Sequence, residues 1–217
     1  MIERYFFPGA TFSWAPPQAI TTQPKDGTVT VSPPTPSAMT FQDLDTYHFD
    51  TNAMNRFRSL GLAKNQAIPH DWLCYIHGRT AKISSTNDVL TGFMSGCYIA
   101  VWTDNTGRQV GHIGTIESVG KTQPPNSTVK QTFSAMMPDN VKAYNPAEAW
   151  SFNEIMALTR KYPQYDGWWN VLSLVASDSR FYSILLLKHR RNDPLITCAG
   201  IKSCAGIGVN MMRQLLA

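Results

Sequence analysis

The stretch from Tyr98 to Ile116 constrains the fold more than any other part of this 217-residue chain. Tyr98-Ile99-Ala100-Val101-Trp102 is a β-prone run, Asp104-Asn105-Thr106-Gly107 are turn formers, and a second β-prone run extends from Arg108 to Ile116. Two such runs around a short Asn/Gly loop predict an antiparallel hairpin. Further strands are expected at Trp72–Ile76, Phe181–Leu187 and Leu195–Ala199. Short helices are expected at Asn52–Leu60, which Gly61 follows, and at Val209–Leu216. Ser85–Phe93 is read as holding a helical turn, and Trp168–Val175 as helical or mixed. The best helix signal starts at Asn145 as cap, with Pro146 in the first turn and Glu148 three residues after the cap, and runs to Pro163.

Seven prolines (Pro8, Pro16, Pro17, Pro24, Pro33, Pro34 and Pro36) punctuate the first forty residues. Proline gives a sheet no donor, so residues 1–40 read as an extended arm with an edge strand at Thr28–Val31. Phe6, Phe7, Phe12 and Trp14 are expected to dock that arm on a single domain spanning 41–217. Strands dominate the middle and helices recur after it. The pattern predicts an α+β class with a mostly antiparallel β-sandwich core flanked by helices.

Apolar residues make up 43% of the chain and charged ones 16%, enough for a sizeable core with little self-repulsion. The net charge is +4, and Lys188-His189-Arg190-Arg191 is the one tight basic cluster. It reads as a solvated loop, so no nucleic-acid partner is expected. No apolar stretch approaches the ~20 residues of a membrane span. The N-terminal residues lack the basic-then-apolar order of a signal peptide. The four cysteines do not form a disulfide framework in a chain this long. Cys74 and His77 have a C-x-x-H spacing without a convincing second ligand pair, so Cys74 is read as a strand residue and no metal is expected.

The candidate chemistry lies in and just before the hairpin. Cys97 follows Ser95-Gly96, and a glycine before a nucleophile permits a tight turn and close substrate approach. Backbone amides around Ser95 and Gly96 are candidates for steadying an oxyanion. A two-residue loop at Asp104-Asn105 puts Cys97 directly opposite His112; a four-residue loop, Asp104 to Gly107, leaves the pair diagonal on one face. A three-residue loop without a bulge separates them. Imidazole beside thiol is useful because the thiolate is the nucleophile, and a neighbouring base makes it. The competing reading is a small buried cysteine and a hydrogen-bonded strand histidine. His48, His70 and His77 have no assignable partner. Asp104 is expected in its turn for local reasons, and Trp168-Trp169 reads as core before ligand stacking.

Ser95-Gly96-Cys97, an apolar strand, a turn and then Gly111-His112-Ile113-Gly114 resemble the active-site hairpin of the cytotoxic necrotizing factor-like deamidases. That superfamily includes the Burkholderia lethal factor and the chemoreceptor deamidase CheD. The match covers residues 91 to 116, with Met94 where the toxins have leucine. The resemblance implies a deamidase-toxin-like fold and a cysteine-dependent protein-glutamine deamidase with Cys97, His112 and Thr91 as a triad, or with a backbone carbonyl in place of Thr91, and no cofactor. It implies as partner a target protein bearing a reactive glutamine, such as a host regulatory protein. It also implies a bacterial effector, made in the cytoplasm and delivered to a target cell without a cleaved signal peptide. A cysteine peptidase or transglutaminase using the same pair, and a binding protein with an inert cysteine, are the alternative readings.

Overall fold

Side chains alternate along much of the C-terminal strands, with bulges between, and that alternation lines a barrel. Leu172 and Leu174, Ile184 and Leu186, and Ile196 and Cys198 are buried in one apolar cluster, while Val171, Ser173, Val175, Leu185 and Leu187 point the other way. The computed structural model of the protein describes residues 1–17, 27–32, 35–44, 55–56, 58–94, 96–114, 126–162, 165–189 and 195–216. The strands are β1 (Ala10–Ser13), β2 (Val29–Val31), β3 (Thr35–Leu44), β4 (Ala67–Trp72), β5 (Thr80–Ser84), β6 (Val89–Met94), β7 (Tyr98–Asp104), β8 (Gly107–Ile113), β9 (Lys142–Tyr144), β10 (Tyr165–Val175), β11 (Phe181–His189), β12 (Leu195–Cys204) and β13 (Ile207–Gly208). The helices are α1 (Asn126–Met136), α2 (Phe152–Arg160) and α3 (Val209–Leu216). Strands amount to 48% of the described residues, so the class is α+β with β dominant.

The strands form two sheets. A closed barrel runs β1-β12-β11-β10-β6-β4-β3, with β3 pairing back onto β1. A six-stranded sheet runs β13-β9-β7-β8-β5-β2. Closure gives each barrel strand a neighbour on both sides. Phe6, Phe7, Phe12 and Trp14 are buried in the barrel's interior cluster. β1 is itself a wall strand, and the boundary expected at residue 40 falls inside β3.

The six-stranded sheet is covered on both faces, which explains why Tyr98 to Trp102 is buried at every position. Cys97, Ile99, Val101 and Val110 pack with the barrel residues Val89, Met94 and Val175. Tyr98, Ala100, Trp102 and Ile113 pack with Val129, Phe133 and Met212 of α1 and α3. The site lies in the first of these seams, between barrel and sheet.

Several expectations hold and several are corrected. The hairpin, the edge strand at residues 29–31, the strands at 181 and 195 and the terminal helix stand where the sequence put them. Asn55, Arg56, Arg58 and Ser59 are helical, and Gly61 ends the turn at φ +57°. The expected strand at Trp72–Ile76 lies earlier, as β4, so Cys74 follows the strand. Ser85–Phe93 holds β6, not a helical turn, because its residues pair with β10 and β4. Trp168–Val175 is likewise strand. The helix expected from Asn145 is broken at Trp150, whose backbone is extended and whose indole N–H donates to Ser183 Oγ at 2.8 Å. Ser151 is the true N-cap, in a capping box with Glu154.

Candidate active site

A row of polar side chains crosses the barrel wall under the second layer. Thr91 on β6 pairs with Ser173 on β10, Ser173 with Ser183 on β11, and Ser183 with Lys202 on β12. Each meets a group from outside the barrel. Thr91 Oγ1 lies 2.6 Å from His112 Nδ1. Ser173 Oγ lies 2.5 Å from the Tyr144 hydroxyl. Ser183 Oγ accepts from Trp150, and Lys202 donates to Glu154 at 2.6 Å. A buried polar group without a partner costs about 1–3 kcal/mol, so the row disfavours any other placement of the outer layer. The site's histidine is held by one end of it.

His112 reaches the row from the hairpin. In the observed register Ile99 pairs with His112 and Asp104 with Gly107, so the loop is Asn105-Thr106. Cys97 is therefore diagonal to His112 and on the same face, the outcome reasoned for the four-residue loop, though with a tighter turn. Asp104 acts locally: its Oδ1 accepts from the Thr106 amide at 2.8 Å, and its Oδ2 meets Lys82.

His112 is 0% exposed and Cys97 6% exposed. Burial lowers the His112 pKa to about 3, so the ring is neutral. In the tautomer that donates Nδ1–H to Thr91 Oγ1, the lone pair lies on Nε2, which has no hydrogen-bond partner among the described residues. That tautomer is the one a general base needs. Thr91 thus stands in the orienting position.

Gly111 and Gly114 each stand where a side chain would clash. A Cβ on Gly111 would lie 2.7 Å from the Trp102 ring, on the helix side of the sheet. One on Gly114 would lie 2.3 Å from the Ile76 carbonyl oxygen and 3.2 Å from Tyr75 Cε2. Tyr75 is the site residue that sequence reasoning missed. Its ring lies 5.2 Å from that of His112, and its hydroxyl is 3.1 Å from His77 Nδ1. Burial, and then the charge of Cys97, push its phenol up to about 12. It lies past the end of β4, where no strand register predicted an approach to β8; the tight Gly114 was the available signal.

Gly96 is exposed, with nothing within 4 Å of where its Cβ would stand. Ser95, the other expected backbone contributor, lies outside the described residues. None of the cysteines is in a disulfide; Cys198 is sealed in the barrel, where burial raises its thiol to about 12.

No family model, curated protein or solved structure matches the chain. What bears on function is therefore the site itself, together with the local resemblance of residues 91–116.

Proposed function

We propose that the protein is a cysteine-dependent protein-glutamine deamidase with Cys97 as nucleophile, His112 as base and acid, and Thr91 as the positioning residue. The observation that carries this reading is the 2.6 Å Thr91–His112 contact, beside a thiol on the same face. It supports a base and a group that fixes it, and Cys97 is then the nucleophile that a thiol hydrolase needs beside them. The deamidase-toxin-like fold and the delivery of an effector to a host regulatory protein belong to the same proposal.

In the resting state burial keeps the imidazole neutral. As the glutamine enters, His112 Nε2 takes the Cys97 proton and Sγ bonds to the side-chain carbonyl carbon. The tetrahedral oxyanion forms near the Ser95-Gly96 turn. The C–N bond then breaks, and the Nε2 proton leaves with nitrogen as ammonia. Water gives a proton to Nε2 and its oxygen to the thioester carbon. The C–S bond breaks, Cys97 is restored and the side chain is glutamate. The new negative charge is what would alter the target.

A specific observation favours one other reading. Cys97 and His112 are both buried, as an inert core pair would be. Iodoacetamide separates the two: a reactive nucleophile is alkylated in the folded protein and an inert one is not. The direct test is intact-mass spectrometry of candidate targets incubated with wild type or Cys97→Ser. Wild type alone should convert an amide to an acid; equal modification by both overturns the proposal.

A further inference from the structure

Cys97 and His112 are buried, but Tyr75, which borders them, is partly exposed. Tyr75 packs on the apolar cluster that holds Cys97. Its loop, between β4 and β5, is braced on the strands of Thr91 and His112. The Leu73 amide donates to the carbonyl of Leu90, one residue before Thr91. The Gly78 amide donates to the Gly114 carbonyl, and the Gly114 amide to the Arg79 carbonyl, two residues past His112. Continued by one residue, the register that pairs Tyr98 with Ile113 sets Cys97 opposite Gly114. The edge of the Tyr75 ring lies 3.2 Å from where a Gly114 Cβ would stand, and its centroid lies 5.2 Å from that of His112. The phenol therefore stands beside thiol and imidazole together. Its hydroxyl is 3.1 Å from His77 Nδ1. Burial, and then the charge of Cys97, push the phenol up to about 12, so it keeps its proton and is a donor, not a base. In the tautomer with the proton on His77 Nδ1, the imidazole donates to the phenol oxygen and the phenol's own proton can be given to a substrate.

We propose that the Tyr75 hydroxyl is a further catalytic group, the donor that holds the carboxamide oxygen while Cys97 attacks, and that His77 is the positioning residue that fixes the phenol oxygen. This rests on the deamidase reading. As the S–C bond forms, the carbonyl π pair moves onto oxygen, and the phenol O–H, still bonded to its own oxygen, hydrogen-bonds more strongly to the growing charge. When the C–N bond breaks, the pair returns to the carbonyl and the phenol is unchanged. A donor fixed by a braced loop and a second imidazole costs no reorganisation at the moment of reaction.

The test compares wild type with Tyr75→Phe, which keeps the ring and deletes only the hydroxyl. Ammonia release from the acetylated, amidated tripeptide Gly-Gln-Gly gives kcat and KM. Alkylation of Cys97 by iodoacetamide, a displacement at saturated carbon that develops no oxyanion, reports the thiol separately. Tyr75→Phe should lower kcat about 10²-fold, leave KM within about threefold and leave the alkylation rate unchanged. His77→Leu should lower kcat about tenfold, and His77→Asn, whose side-chain N–H can stand where Nδ1–H does, should restore most of it. A wild-type kcat in Tyr75→Phe, or a loss matched by an equal loss of alkylation, would overturn the donor role and leave the deamidase reading standing. Ammonia release by wild type no faster than by Cys97→Ala would overturn both.

Discussion

The barrel lumen and the seam beside it each bury a histidine, and the two differ in an instructive way. His70 in the lumen and His112 in the seam are both almost wholly buried, and burial lowers both pKa values. Each has an Nε2 without a hydrogen-bond partner among the described residues. Yet His70 Nδ1 is tied to its own strand, 3.2 Å from the Ile68 carbonyl oxygen, and its ring packs on Trp14. His112 Nδ1 is tied across the seam to a side chain of the other sheet, and a thiol shares its face. Burial and a depressed pKa are therefore common to a core histidine and a candidate base. What separates them is the chemistry nearby and the anchor that aims the ring.

That contrast can be broken most sharply at the thiols. Cys97→Ala should lower ammonia release by at least ~10³-fold, whereas Cys198→Ala in the lumen leaves it unchanged, as a coupled ammonia assay would show. Comparable losses from both would erase the distinction between seam and lumen. The histidines come next. His112→Ala should cost roughly 10²–10⁴-fold in kcat, the usual worth of a positioned acid–base group, while His70→Leu keeps the rate.

Acid stability tests what the two histidines share. A histidine whose folded pKa lies below 6.5 contributes stability that is fully present above 6.5 and is lost as pH falls toward the folded value, near 3 for His112. Over that window the unfolded chain binds the extra proton. The melting temperature should fall between pH 7 and 4, and His112→Asn should flatten part of that slope, on the order of a few kcal/mol. An unchanged slope in thermal melts would mean that the seam histidine is not held neutral.

Removing the anchor is a smaller change. Thr91→Val keeps the shape and deletes the hydroxyl, and should slow turnover about tenfold, with Thr91→Ser restoring most of it. Full activity in Thr91→Val would assign the orienting role to another group. The smallest expected effect is at the next pair along the row. Tyr144→Phe loses the contacts to Ser173 Oγ and to the Tyr182 carbonyl, and should cost about 1–3 kcal/mol in denaturant melts without altering the rate.

The candidate site was more legible in the sequence than the fold around it. Cys97 and His112 lie on one hairpin, and hairpin register is local arithmetic. The barrel was not legible, because closure joins β1 to β12 and β3 through contacts far apart in sequence. Trp168 to Val175 carried no clear period: β10 is apolar on both faces, one filling the lumen and the other the seam. The break at Trp150 came from a tertiary hydrogen bond to Ser183 that overrode a good helix signal.

By itself the sequence determined a β-hairpin and narrowed its registers to a few, two of which present the thiol and the imidazole to the same side, since strand periodicity and turn residues act over a few positions. Only the tertiary structure decided which wall that side would face, how Thr91, expected from the resemblance alone, would meet His112 Nδ1, and that Tyr75 would lie against the imidazole ring. Those choices depend on how a closed barrel buries one face of each strand and leaves the other to be matched, polar group by polar group, by the layer above it.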